Sequence, residues 1–253
     1  MKIDEVRAIV TGAASGIGRR FSLELARSGA GVLAVDIEAD GLGGLAREAQ
    51  DMPGQLLTAR LDVRREDEVK AAVEDGFARL GGLNALVNCA GILRDGLLVA
   101  AEEDWVRKLP TAQWKAVIDT NLTGPYLMAR EVAASIVRRP GMPGLIVNVS
   151  SVTSKGNPGQ SNYSASKAAL DALTRTWALE LAPHGIRVAG IAPGLTDTPM
   201  LASMSAEHRE RMLGQVPLAR VGTTEEIWLA LEFIVRCDYF TGRVIEVDGG
   251  ATF

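Results

Sequence analysis

Short continuous runs of aliphatic residues alternate along the chain with longer segments whose apolar positions recur every three or four residues. Runs of the first kind, Val6–Val10, Val32–Val35, Leu56–Leu61, Ala85–Asn88, Leu145–Val149, Val188–Ile191 and Val244–Val247, predict strands buried on both faces. Segments of the second kind lie near Ile17–Ser28, Leu42–Ala49, Glu66–Leu80, Thr111–Ile136, Tyr163–Leu181, Ala206–Leu213 and Thr224–Val235, and these predict helices. Regular strand–helix alternation implies an α/β fold: a doubly wound, parallel, seven-stranded sheet with helices on both faces. No repeat or linker divides residues 1–253, so one dinucleotide-binding and catalytic domain is expected. The stretch Leu93–Pro110 is polar and irregular, and its acids Glu102, Glu103 and Asp104 read as a solvated loop rather than a metal site.

Composition narrows the possible functions. The chain has 253 residues, a formal net charge of −4 and 47% hydrophobic residues. Its 27 basic and 31 acidic residues form no blocks, which gives no support for nucleic-acid or anionic-membrane partners. No apolar run reaches the length of a membrane span, and the start runs straight into a strand, so a cytoplasmic protein without a targeting segment is expected. Cys89 and Cys237 are not spaced as a metal motif and are expected as reduced thiols; with only His184 and His208, no metal site is expected.

Candidate chemistry begins at the first strand end. Thr11-Gly12-Ala13-Ala14-Ser15-Gly16-Ile17-Gly18 lies between a strand and a helix. Glycines there let the backbone approach a pyrophosphate at the helix N-terminus, although glycine also serves ordinary turns. Asp36 ends the second strand, where a carboxylate accepts the hydroxyls of an adenosine ribose and repels a 2′-phosphate. No Lys or Arg immediately follows it, so NAD is favoured over NADP. Arg19 and Arg20 are near in sequence and equally suited to face solvent. Asp62 and Val63 at the third strand end suit the adenine, with Asp62 also a candidate helix N-cap. The small residues of Asn88-Cys89-Ala90-Gly91 would let the chain pass close to the cofactor, with Cys89 a packed thiol. Asn121 is an amide in mid-helix, suited to bending it by holding water or a backbone carbonyl. Beyond the sixth strand, Pro193 and Gly194 fix a turn, and Thr196 and Thr198 offer hydroxyls to a carboxamide. Met200, Met204 and Met212 suit either a substrate lid or core packing.

Tyr163 and Lys167 stand four apart on one predicted helix face. An ammonium beside a phenol favours phenolate, which would bring Tyr163 toward general acid–base work near neutral pH. A tyrosine packed on a helix with an exposed lysine gives the same pattern. A serine at the end of the preceding strand could hold the reacting oxygen.

Together these residues resemble the short-chain dehydrogenase/reductase family over essentially the whole chain: Thr11-Gly12-x-x-x-Gly16-x-Gly18, Asn88-x-Ala90-Gly91, Asn121, a strand-end serine, Tyr163-x-x-x-Lys167 and Pro193-Gly194, in the family's order. The resemblance implies a Rossmann-like fold, a nicotinamide cofactor and hydride transfer between a carbonyl and an alcohol. It implies Tyr163 as proton donor or acceptor and the serine as hydrogen-bond partner of the substrate oxygen. Lys167 would bind the nicotinamide ribose and lower the Tyr163 pKa, and Asn121 would anchor a relaying water. Thr198 would face the nicotinamide amide, and a homo-tetramer, or homodimer, is the implied assembly. Gly156-Asn157-Pro158-Gly159-Gln160-Ser161-Asn162-Tyr163 especially resembles bacterial 3-oxoacyl-thioester reductases, with 3-hydroxyacyl-CoA dehydrogenases also close. A polyol or sugar dehydrogenase, or a dinucleotide-binding protein without turnover, are the alternatives.

Four departures from the family pattern stand out. Cys89 replaces a usual second Asn, Gly190 replaces a frequent Asn, and the segment from Gly91 to Trp114 is longer than usual. The serine is Ser150 by spacing from Tyr163 and Ser151 by strand register. Neighbouring strand residues face opposite ways, and losing one residue is cheaper in a loop than in a buried strand. Ser151 is therefore expected.

Overall fold

Continuous aliphatic runs make strands here because the inner strands of the sheet serve two cores. The computed structural model describes residues 1–101, 105–139, 141 and 143–251, with the side chain of His208 excepted. The strands are β1 (Arg7–Thr11), β2 (Gly31–Asp36), β3 (Leu56–Arg60), β4 (Ala85–Asn88), β5 (Val99–Ala101), β6 (Val106–Lys108), β7 (Gly144–Val149), β8 (Ile186–Pro193) and β9 (Val244–Val247). The helices are α1 (Gly16–Arg27), α2 (Ala39–Glu48), α3 (Glu66–Leu80), α4 (Thr111–Ile118), α5 (Gly124–Val137), α6 (Ser161–Leu181), α7 (Pro199–Ala202), α8 (Ala206–Leu213) and α9 (Thr224–Arg236). Seven strands form one parallel sheet in the order β3-β2-β1-β4-β7-β8-β9, the doubly wound architecture predicted from the pattern.

Alternation along β1 shows how the two cores are supplied. Ala8 and Val10 pack with Phe21, Leu25, Trp228 and Leu231 on the α1/α9 side, whereas Ile9 packs with Val73, Met128 and Val132 on the α3/α5 side. Each fully buried aliphatic or aromatic side chain of this kind contributes about 1.5–3 kcal/mol relative to exposure. The chain winds outward from β1 to β3, then returns to β4 on the other side of β1. That reversal opens a crevice at the carboxyl ends of β1 and β4, where ligands of such sheets bind. Among the described residues, no helix is long and apolar enough to cross a membrane.

Three local features differ from the sequence reading. The segment 93–110 is not irregular throughout: β5 and β6 pair as an antiparallel ribbon, Val99 opposite Lys108 and Ala101 opposite Val106. Its strands are three residues long and mostly exposed, so they carry no burial pattern to read. The acids Glu102, Glu103 and Asp104 lie outside the described residues. The predicted helix Thr111–Ile136 is two helices joined by a π turn at Asp119–Thr123. The short α7 follows Thr198, whose side chain caps it by accepting the Leu201 N–H at 3.4 Å.

The Gly190 departure has a packing cause. A Cβ at this position would lie 2.8 Å from Val244 Cγ2, so β8 and β9 approach too closely there for a side chain.

Candidate active site

The β1–α1 connection is shaped by contacts that only glycine permits. A Cβ on Gly12 would lie 2.8 Å from the Ala90 backbone, and one on Gly18 would lie 2.3 Å from the Gly12 carbonyl oxygen. Gly12 also has φ +67°, a conformation costly to other residues. This loop is tied to β2 by Asp36, whose Oδ2 accepts the Ala14 N–H at 3.0 Å while Oδ1 accepts the Glu38 N–H at 3.1 Å. Arg19 pairs with Glu48 at 2.6 Å, and Arg20 with Glu24 at 3.0 Å and Glu225 at 3.2 Å. The cation nearest to Asp36 by strand register was not legible in the sequence. It is Arg60 on β3, paired in register with Asp36, with Nε donating to the Ile37 carbonyl at 3.2 Å.

Asp62 is held by Arg64, whose Nε and Nη2 donate at 2.8 and 2.6 Å to its two oxygens. This pairing holds the carboxyl below its ordinary range. Asp62 is not the N-cap of α3, a position occupied by Arg65; it makes a tight local turn instead by accepting the Arg64 N–H at 3.0 Å.

At the end of β7 the two serines part as strand parity requires. Ser150 turns onto α6, its hydroxyl donating to the Lys167 carbonyl at 3.3 Å. Ser151 turns the other way, its hydroxyl sharing a hydrogen bond with Thr153 Oγ1 at 3.0 Å on the cavity wall it shares with Tyr163. Ser151 Oγ also accepts the Thr153 N–H at 3.2 Å, which fixes the hydroxyl in place.

Tyr163 and Lys167 are buried, at 9% and 4% exposed, which rules out the exposed-lysine reading. Lys167 Nζ donates to the Val149 carbonyl at 2.7 Å and stands 5.6 Å from the Tyr163 ring centroid. Burial dominates both groups: it pushes the phenol up to about 12 and the ammonium down to about 8. Burial therefore outweighs the pull expected of Lys167, and the Tyr163 phenol lies above its ordinary value rather than below it. The neighbouring Ser151 hydroxyl favours phenolate, and desolvation exceeds its effect.

Asn121 sits at the π turn, completely buried, with Oδ1 accepting the Ile92 N–H at 2.8 Å and Nδ2 donating to the Ile92 carbonyl at 3.0 Å. It thus clasps the backbone just after Gly91. A Cβ on Gly91 would lie 3.5 Å from Asn121 Oδ1 and 3.7 Å from Lys167 Nζ, so this glycine separates the two side chains.

A cavity of about 600 Å³ joins these groups. Its walls include Gly12, Ser15, Gly16, Ile17, Gly18, Asp36, Asp62, Val63, Ala90, Gly91, Ser151, Tyr163, Lys167, Pro193, Gly194, Thr196 and Thr198. Two predicted residues are not on its walls. The Asn88 side chain instead donates to Asn148 Oδ1 at 3.0 Å, and Asn148 donates to Thr174 Oγ1 at 2.9 Å, a polar chain linking β4, β7 and α6. The reason is parity, since Asn88 ends β4 with its side chain toward the helices. Asn121 is withdrawn because its amide is spent on Ile92.

Cys89 lines the cavity, but burial pushes its thiol up to about 12, so it is uncharged near neutrality. Met200, Met204 and Met212 line the mouth, while Met212 also packs with Leu195, Leu201 and Val216. The packing reading therefore holds for Met212 and Met204, and all three methionines reach the cavity wall. Ile92, Thr120 and Gln160 also line the cavity and were missed. Gln160 alone carried a signal, standing within the turn that precedes Tyr163. Among the described residues no group of three or more His, Cys, Asp or Glu side chains is placed to hold a metal.

Comparison with known proteins agrees with this geometry. A family model for short chain dehydrogenases matches residues 6–209. The 3-oxoacyl-acyl-carrier-protein reductase of Thermotoga maritima is 41% identical over 253 residues, covering 99% of each chain. A short-chain type dehydrogenase/reductase from Mycobacterium marinum superposes with a TM-score of 0.89 at 33% identity, over 99% of this chain and 97% of that one. A 7α-hydroxysteroid dehydrogenase solved with NADH and 7-oxo glycochenodeoxycholic acid gives a TM-score of 0.89 at 30% identity, over 99% and 96% of the two chains. The chain belongs to the short-chain dehydrogenase family and is an oxidoreductase interconverting a secondary alcohol and a ketone.

Proposed function

We propose that the enzyme uses NAD(H) and reduces 3-oxoacyl thioesters to the 3-hydroxyacyl form, or runs the reverse reaction. The observation that carries this reading is the convergence of Ser151, Tyr163 and Lys167 on a cavity that begins at a glycine cradle. The residues present suit a dinucleotide: the cradle made by Gly12, Gly16 and Gly18 has no room for a Cβ at Gly12 or Gly18, and Asp36 stands at the ribose end. When bound, the nicotinamide supplies or takes the hydride.

The side chains handle the oxygen and its proton. Ser151 donates a hydrogen bond to the carbonyl oxygen, and Tyr163 gives that oxygen a proton as charge develops on it. A phenol raised to about 12 is fully protonated at neutral pH, which suits the donor role in reduction. Lys167, pushed down to about 8, remains cationic below that pH and favours the proton's departure from Tyr163. Asn121 keeps the Gly91–Ile92 backbone beside Lys167.

The substrate class rests on two observations. The mouth is apolar, with Met200, Met204 and Met212, which suits an acyl chain better than a polyol. The relatives at 41% and 38% identity are named for 3-oxoacyl reduction. The NAD preference rests on Asp36, with Arg19 and Arg20 already paired to carboxylates. Oxidation of NADH and of NADPH by a panel of 3-oxoacyl thioesters, simple ketones and keto-sugars tests the reading. Turnover is expected with the thioesters and NADH, and Asp36→Ala is expected to raise the relative use of NADPH. Turnover restricted to keto-sugars contradicts the substrate, and an unchanged cofactor ratio in the variant contradicts the role of Asp36.

A further inference from the structure

Residues 94–96, between β4 and the β5–β6 ribbon, are bound to the entrances of α4 and α6 through each of their three residues. The Arg94 carbonyl accepts from Asn162 Nδ2 at 3.0 Å, and the Gly96 N–H donates to the Gly159 carbonyl at 2.7 Å. Between them, the Asp95 carbonyl accepts from Gln113 Nε2 at 3.1 Å, and the Asp95 carboxylate accepts from Gln160 Nε2, also at 3.1 Å. Gln160 is 1% exposed and lines the cavity, and its Oε1 accepts from Asn157 Nδ2 at 3.0 Å. A carboxylate only accepts hydrogen bonds, so Asp95 decides which end of that amide turns toward it. Asn162 completes the node, its Oδ1 accepting the Tyr163 N–H at 2.8 Å.

The proton donor is therefore approached from segment 94–96 along two routes, one through Asn162 to its own backbone and one through Gln160 in the preceding turn. We infer that Asp95 is a positioning residue for Tyr163: it holds the Gln160 amide and the start of α6 in place, and it sets a fixed negative charge on the phenol's side of the site. That charge opposes phenolate, as do burial and, at the high pH where it ionises, the Cys89 thiolate, whereas the Ser151 hydroxyl favours it. Lys167 faces the same ring, with Nζ 5.6 Å from its centroid. Asp95 is itself exposed, so its charge acts through solvent and weakens with salt.

Two substitutions separate geometry from charge. Asp95→Asn keeps an acceptor oxygen for Gln160 and removes the charge, and Asp95→Ala removes both. Tyrosine ionisation, followed by ultraviolet difference absorbance with each protein compared to its Tyr163→Phe double variant, requires no substrate and is independent of the proposed reaction. Asp95→Asn is expected to move the Tyr163 component to lower pH, by less as ionic strength rises. Turnover, which rests on the proposed reaction, is expected to fall in Asp95→Ala by about tenfold in kcat/KM, the scale of one lost hydrogen bond to a charged group. Dinucleotide affinity is expected to stay unchanged in both variants. An unmoved Tyr163 titration in Asp95→Asn, or a wild-type kcat/KM in Asp95→Ala, overturns the inference. A wild-type enzyme inactive on the whole panel instead contradicts the proposed reaction and leaves the titration to decide on Asp95.

Discussion

At the scale of single residues, the site turns on how much water Tyr163 and Lys167 have lost. A four-residue spacing predicts their contact but says nothing of burial, and burial decides which form each takes. With the phenol raised to about 12 and the ammonium lowered to about 8, the sign of the pH dependence follows. Tyr163 stays protonated throughout the neutral range, whereas Lys167 loses its charge as pH rises through about 8. The ketone reduction rate is therefore expected to be level below pH 7 and to fall above about 8, as a kcat/KM profile would record. A profile rising through that range contradicts this assignment. The serines give a second test at this scale. Ser151→Ala is expected to cost about 10²–10³ in kcat, the scale of one lost oxyanion donor. Ser150→Ala, which removes only the bond to the Lys167 carbonyl, is expected to retain most activity. The reverse order of effects contradicts the strand-parity argument.

At the scale of elements, the π turn at Asp119–Thr123 and the strand end at Gly91–Ile92 are one unit joined by the Asn121 amide. Asn121→Ala orphans the Ile92 N–H and carbonyl, at about 1–3 kcal/mol for each group left buried. The variant is expected to unfold at lower urea and to lose kcat; a wild-type midpoint contradicts the role of the clasp. The five inner strands were legible because burial on both faces writes a continuous apolar run, a code that placed β4 without error, whereas the edge strands β3 and β9 are only partly buried. The β5–β6 ribbon was not, since its residues are exposed and its pairing is a matter of backbone. The π turn did leave a mark in Asn121, a mid-helix amide suited to holding a backbone carbonyl; what could not be read was the acceptor, the Ile92 carbonyl on another element. Legibility in the site follows the same line. Glycines forced by close backbone contact could be read from Gly12 and Gly18, and parity gives Ser150 and Ser151 different partners although both reach the cavity wall. Parity also applied to Asn88, where it was not used, and it turns that side chain away from the cavity. Arg60 reaches the Asp36 end only through strand pairing, which no local pattern shows.

At the scale of the molecule, sheet topology explains why so few residues suffice. Reversal of strand order between β1 and β4 puts the glycine cradle, the Gly91 clasp and the end of β7 along one crevice. In the proposed mechanism the chemistry depends on a single proton donor, Tyr163, on the wall of that crevice. Tyr163→Phe removes one hydroxyl from a buried position and leaves the ring, Lys167 and the cradle in place. The most direct measurement is NADH oxidation by a 3-oxoacyl thioester in this variant, alongside NADH affinity from nicotinamide fluorescence. The account predicts unchanged affinity with kcat reduced by about 10² or more, the lower scale of general acid–base catalysis. A Tyr163→Phe enzyme that binds NADH and turns over at the wild-type rate contradicts it.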